Sequence, residues 1–380
     1  MNPLPPPTTL DDARRQVRIR HLEQLSHANI TLTPPADDED TSLLPSCKIL
    51  TKELKKWSQD HVKSIEEATL KNVLSGKDSI DWNCFFLAFM ESITVYLRLG
   101  IKEVAAVWGM EFMQICGYIL THAHQGHNDK NPKWNGPFCG AFFPKDHKQG
   151  APYVGITFKG TDPKNIKDIN VDSSFDPIQV DAKHLFGTVV SEGVYNALFG
   201  TFNNKDILSP FDFVPKLQTE DNTEPLLHVT GHSLGGSYSS FCFAQFMMQN
   251  ASLPAGARLG DLYNFGSPRV GQKAWSQAFY ENLGGKFPGG AWRIVNDKDI
   301  VPQVPSLLRY KPKTGPFYHI DNGIQIYKQA KPTPIESERD GTGNVDIGLT
   351  RIGFVRKLAT EKYHYPPSYY HALEYALANQ

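Results

Sequence analysis

At 380 residues, 40% hydrophobic and 21% charged, the chain has the composition of a folded globular protein and length enough for one large domain or two smaller ones. Its 39 Lys and Arg against 40 Asp and Glu leave a formal net charge of −1, so no net field would hold it on nucleic acid or on an anionic membrane. No run of about 18 apolar residues is present to cross a bilayer. The five cysteines, Cys47, Cys84, Cys116, Cys139 and Cys242, are widely spaced and form no Cys-x-x-Cys pair, which disfavours a zinc site or a disulfide framework.

The start, Met1-Asn2-Pro3-Leu4-Pro5-Pro6-Pro7, lacks the basic-then-apolar order of a secretory leader. The expectation is a cytoplasmic protein, with secretion by way of a leader outside this sequence as the alternative. The sequons at Asn29 and Asn250 would matter only in the second case. Prolines and the acidic run Asp37-Asp38-Glu39-Asp40 give residues 1–45 the character of a poorly packed arm, and the basic stretch Arg14 to His21 reads as a solvated face. Residues 46–380 are expected to form the main domain, with helices at its N-terminal side.

Helical spacing is expected over Asp81 to Leu97, and again from Lys102 to Leu120 through Val104, Trp108, Phe112, Ile115 and Ile119. After Pro144 the pattern changes to short apolar runs closed by glycine or proline. Tyr153–Phe158, Leu226–Thr230, Leu262–Phe265, Trp292–Val295 and Ile324–Tyr327 are strand candidates, and Val189 opens another. Helical stretches between several of them favour a largely parallel sheet covered on both faces. Lys331 to Asn344 is polar and rich in turn residues, so a loop is expected there.

Gly231-His232-Ser233-Leu234-Gly235 fits Gly-x-Ser-x-Gly, a sharp strand-to-helix turn that lifts a serine hydroxyl above a sheet. The bare pattern would arise by chance in about one chain in ten of this length, so it is weak alone. Its surroundings strengthen it: the strand candidate Leu226–Thr230 runs straight into it, and Gly236 and Ser237 open a helix of small residues. A serine needs a histidine base and an acid that orients it, arranged along an α/β-hydrolase chain as serine, acid, histidine. His232 is adjacent to the serine, where neighbouring side chains diverge, so a structural role is expected for it. Asp297 and Asp299 lie at a strand end, where the acid belongs, and His319, His364 and His371 follow. The backbone N–H of Leu234, at the start of the helix after the serine, is the first oxyanion donor.

Four segments together resemble the class 3 lipase family, the fungal-type triacylglycerol lipases and their feruloyl esterase relatives. They are Gly231 to Gly236, Tyr263-Asn264-Phe265-Gly266-Ser267-Pro268-Arg269-Val270-Gly271, Val295 to Pro302, and Tyr318-His319. The resemblance runs from about Lys102 to the C-terminus and implies an α/β-hydrolase fold, a largely parallel central sheet flanked by helices, with an N-terminal helical extension. It implies Ser233 as nucleophile, Asp299 as acid with Asp297 as runner-up, and His371 as base, since His371-Ala372-Leu373-Glu374-Tyr375 places an aromatic a few residues on. His364 and His319 are the alternatives. By the same resemblance Phe158-Lys159-Gly160-Thr161 puts the second oxyanion donor at Thr161. Two departures weaken the likeness around the pocket: Ser191-Glu192-Gly193-Val194 stands in place of a His-x-Gly-Phe type segment, and Lys159 in place of arginine.

The reading is therefore a serine carboxylic ester hydrolase that needs no metal or cofactor and whose partner is a lipid or other hydrophobic ester, met in part at a lipid interface. Feruloyl-type esterase, phospholipase and an inactive lipid-binding scaffold are the rivals. Ile166, Ile169, Val171, Phe175 and Ile178, set among charges, are read as either a lid over the pocket or an ordinary anchored loop.

Overall fold

Helices α1 (Pro45–Asp60) and α2 (Val62–Leu70) precede α3 (Trp82–Thr94), whose N-cap Asp81 accepts a hydrogen bond from the Asn83 backbone N–H at 3.0 Å. Every residue of α3 is buried, its few polar side chains included, because the mainly apolar helix lies between other helices and a sheet. The computed structural model describes residues 45–97, 100–120, 133–144, 153–160, 175–199, 225–249, 253, 257–284, 287–305, 315–320, 322–337 and 361–380. Residues 1–44 of the N-terminal arm therefore lie outside the described residues.

The helix expected over 102–120 is two elements. A short helix α4 (Ile101–Val107) ends at Gly109, which takes φ +69°, and strand β1 (Met110–Leu120) follows. Left-handed backbone at Gly109 stops the helix cheaply. Beyond it, β1 pairs antiparallel with β2 (Lys133–Pro144) through irregular register shifts, and those shifts break the two-residue alternation that would mark a strand.

The remaining strands are β3 (Tyr153–Phe158), β4 (Pro177–Gln179), β5 (Val189–Ser191), β6 (Leu226–His232), β7 (Arg258–Phe265), β8 (Gly271–Gln272), β9 (Ala291–Asn296), β10 (Phe317–Tyr318), β11 (Gly323–Ile326) and β12 (Thr333–Ile335). Helices α5 (Glu192–Phe199), α6 (Leu234–Met248), α7 (Lys273–Leu283) and α8 (Pro366–Ala378) are interleaved or terminal. The main sheet runs β1-β2-β3-β6-β7-β9-β11-β12, with β3, β6, β7, β9 and β11 parallel and antiparallel strands at both edges. This is the largely parallel, helix-flanked sheet expected from the apolar runs. The polar stretch expected as a loop from Lys331 holds the short edge strand β12, whose residues are exposed or half-buried. A small sheet, β10-β8-β5-β4, stands apart.

Alternate strand residues feed two cores. Val154, Ile156, Phe158, Leu227 and Val229 join α6 and α7 on one face, while Tyr153, Leu226, Tyr263 and Phe265 join α2, α3 and α8 on the other. Ile178 packs against the first core, and Phe175 is half-buried. Ile166, Ile169 and Val171 lie outside the described residues.

Candidate active site

Strand β6 ends at His232 and α6 begins at Leu234, so Ser233 alone makes the turn, with φ 60° and ψ −132°. A non-glycine residue in such backbone costs about 1–3 kcal/mol and persists only where its surroundings hold it. Here the Ser233 N–H donates to the Phe265 carbonyl at 2.8 Å and the Ser233 carbonyl accepts from the Gly236 N–H at 3.0 Å. The flanking glycines are needed because a Cβ on Gly231 would lie 2.3 Å from the Gly235 carbonyl oxygen, and one on Gly235 would lie 2.2 Å from that of Phe158. The elbow is thus pressed against the end of β3.

Strand β9 delivers the candidate acid. After Asn296 the chain turns, and Asp299 is 1% exposed, with Oδ1 accepting from the Val301 N–H at 2.9 Å. Its Oδ2 accepts from His364 Nδ1 at 2.8 Å and from the Tyr369 hydroxyl at 2.6 Å. Of the two aspartates at this strand end, Asp299 is therefore the one that meets a histidine. Asp297 instead adopts φ 41° in the turn, its N–H donating to the Ile326 carbonyl.

The histidine that meets Asp299 is His364 and not His371. His371 lies on α8 with its side chain 46% exposed, and its Nδ1 meets Glu374 at 3.4 Å on the outer face. Tyr369, Ala372, Leu373 and Ala376 form the buried stripe of that helix, and residue 371 falls off it. His364 stands in the segment before α8, with its side chain 1% exposed. The carbonyl of its neighbour Tyr363 accepts from Asn296 Nδ2 at 2.8 Å, which ties this segment to the end of β9. His319 is engaged elsewhere: its Nε2 bonds the Pro302 carbonyl at 2.5 Å, and its own carbonyl accepts from Ser276 Oγ at 2.6 Å, so it buttresses the turn after Asp299.

Among the described residues, neither Ser233 Oγ nor His364 Nε2 has a hydrogen-bond partner, and both atoms are buried. Catalytic contacts are commonly long before substrate binds. The serine retains only 1% exposure. The two segments are brought together through His232, whose ring stacks on that of His364 with centroids 4.6 Å apart. Burial, and then the neighbouring His364, hold His232 well below the ordinary histidine range, so it stays neutral and is no base.

Tyr369 is a site residue the sequence reading passed over. Burial, and then the charge of Asp299, push its phenol well above the usual range, so it remains a hydrogen-bond donor to that carboxylate. Its position in the apolar stripe of α8 disguises it as core; only the preceding histidine, five positions back, hints otherwise. Leu234 sits where expected, at the N-terminus of α6. Thr161 lies outside the described residues. Gly160, just before it, is close to Ser233, since a Cβ there would lie 3.0 Å from Ser233 Cβ. Lys159 is buried, and its N–H donates to the Phe138 carbonyl at 2.8 Å. Among the described residues no cluster of three or more His, Cys, Asp or Glu is placed to hold a metal ion.

A family model described as Lipase (class 3) matches residues 155–308. The chain is 34% identical over 95 residues to secreted mono- and diacylglycerol lipase 1 of Fusarium solani, covering 25% of each protein. It is 28% identical over 152 residues to a lipase of Rhizomucor miehei, covering 40% of this chain and 37% of that one. These matches thus span from a quarter to just over a third of the relatives' own length. A solved mono- and diacylglycerol lipase of Aspergillus oryzae is 17% identical, with a TM-score of 0.45 over 75% of this chain and 96% of that one. The matched segment starts inside β3, takes in the Ser233 elbow and ends beyond Asp299, and over these residues the chain is similar to the class 3 lipases.

Proposed function

We propose that this protein hydrolyses carboxylic esters of lipids by acyl transfer through Ser233, with His364 as base and then acid and Asp299 as its orienting carboxylate. The observation that carries this is the buried 2.8 Å contact between His364 Nδ1 and Asp299 Oδ2 beside the strained serine elbow. Nδ1 must carry a proton to donate to the carboxylate, which leaves Nε2 with the lone pair that accepts the serine proton. The serine oxygen then adds to the ester carbonyl, and the oxyanion is met by the N–H of Leu234 with Thr161 as the second donor. His364 returns its proton to the departing alcohol, and water repeats the sequence on the acyl-enzyme.

The relatives' names point to mono- and diacylglycerols as the first substrates to offer, and to transient contact with a lipid interface. The cytoplasmic expectation has no support among the relatives; the name of the Fusarium protein favours the secreted alternative. Labelling with a fluorophosphonate, then a chain-length series of p-nitrophenyl esters and of mono- and diacylglycerols, tests the proposal. One equivalent of label on Ser233 and turnover of acylglycerols are expected. A folded protein that takes no label would instead fit the inactive scaffold.

A further inference from the structure

The nucleophile and the base come from segments far apart in the chain, and one residue touches both. His232 is joined to Ser233 by a peptide bond, and its Nε2 lies 3.0 Å from the carbonyl oxygen of His364, 132 positions away. Its ring lies 29° from parallel with the His364 ring at 4.6 Å between centroids. Its Nδ1 lies 3.1 Å from the hydroxyl of Tyr96, just past the end of α3. His232 is 0% exposed and Tyr96 5%.

These partners settle the tautomer. A carbonyl oxygen can only accept, so Nε2 carries the proton; a neutral ring then leaves Nδ1 as an acceptor facing the Tyr96 hydroxyl, whose single proton is shared between Nδ1 at 3.1 Å and the His232 carbonyl at 3.2 Å. The ring is kept neutral by its burial and by the neighbouring His364. A second cation stacked under His364 would oppose the imidazolium that forms during acyl transfer. The contact from the His232 Nε2–H to the His364 carbonyl is therefore directional, and it acts together with the stacked ring face.

We propose that His232, held by Tyr96, is the positioning residue that sets His364 against Ser233. This rests on the Ser233, His364 and Asp299 reading above. Asp299 grips one edge of the His364 ring, while His232 fixes its face and its backbone. The spacing between nucleophile and base becomes a local property of the elbow. Misplacement of such a pair by about 1 Å can cost about a hundredfold in rate.

The test uses the full chain with dissolved p-nitrophenyl butyrate, on variants whose fold is checked by circular dichroism. His232→Leu is expected to lower kcat by about a hundredfold with little change in KM. His232→Gln returns an N–H to the His364 carbonyl without the ring and should recover about tenfold of that loss, the worth of one hydrogen bond. Tyr96→Phe should lower kcat by about tenfold on the same ground. In nitrogen-15 histidine spectra, His232 should remain the neutral Nε2–H tautomer from about pH 5 to pH 8. Folded His232→Leu within about threefold of the parent kcat would overturn the proposal, as would a His232 that titrates in that window or carries its proton on Nδ1. If His232→Leu does not fold, an unchanged kcat in Tyr96→Phe overturns it. His364→Ala separates the two readings: an inactive His364→Ala beside an active His232→Leu removes only the positioning role, whereas an active His364→Ala removes the triad itself.

Discussion

Replacing each of two histidines by alanine separates the reading of the base most sharply. His364→Ala deletes the 2.8 Å hydrogen bond to Asp299 and the stacking on His232, leaving Asp299 Oδ2 with the Tyr369 hydroxyl alone. One hydrogen bond to a charged group is worth about 1.5–3 kcal/mol. Because Asp299 Oδ1 keeps the Val301 N–H and Oδ2 keeps Tyr369, the loss of stability should stay near the lower end of that range. The loss of rate is of another order: members of one triad act as a unit, so hydrolysis should fall by roughly 10⁶-fold, no further reduced when Ser233→Ala is added. His371→Ala removes a side chain that is 46% exposed and whose contact to Glu374 is 3.4 Å long. It should change stability by less than about 0.5 kcal/mol and leave kcat within a factor of about two. Hydrolysis of a dissolved nitrophenyl ester, with urea denaturation of the same preparations, reads both quantities. A His364→Ala enzyme retaining a tenth of the activity, or a His371→Ala enzyme that matches Ser233→Ala, would refute the assignment.

Tyr369→Phe removes a donor from Asp299 without touching His364, so kcat should drop about tenfold and stability by about 1–2 kcal/mol; unchanged turnover would mean that the phenol is only core. Gly266→Ala tests how tightly the acid and base are packed. Gly266 takes φ +61°, and its Cβ would meet Tyr369 Oη at 2.7 Å, Asp299 Oδ2 at 2.8 Å and His364 Cε1 at 3.0 Å. A fall in kcat of at least about a hundredfold is expected, and an active, folded Gly266→Ala would contradict this packing. The depressed His232 also makes a pH prediction. Above the ordinary value of 6.5 the ring is neutral in both the folded and the unfolded chain, whereas below it the unfolded chain gains a proton that the folded chain refuses. Stability should therefore fall as pH drops below about 6.5, with this residue contributing up to about 1.4 kcal/mol per pH unit. Urea midpoints at pH 7 and pH 5 should converge in His232→Gln relative to the parent, and an identical pH dependence in the two proteins would remove the effect.

The elbow was legible because its chemistry is local: a tight strand-to-helix turn needs small neighbours within a few residues of the nucleophile, and Gly231, Gly235 and Gly236 supply them. The parallel core was legible for a similar reason. Strands buried on both faces, such as Leu226–His232 and Ala291–Asn296, must be short continuous apolar runs. Residues 102–120 mixed two periods across Gly109, and a window that averages over a helix stop and an irregular strand returns the wrong one. Asp299 could be narrowed to a pair from its strand-end position, yet the choice among His319, His364 and His371 could not be made from spacing. A base is defined by where its nitrogen lies relative to a carboxylate on another strand. That position depends on Asn296 tying down Tyr363, on His232 bonding the His364 carbonyl, and on α8 turning His371 outward. Sequence patterns record periodicity along one element, whereas the 2.8 Å contact of His364 with Asp299 depends on how the end of β9 packs against the start of α8, which only the assembled core determines.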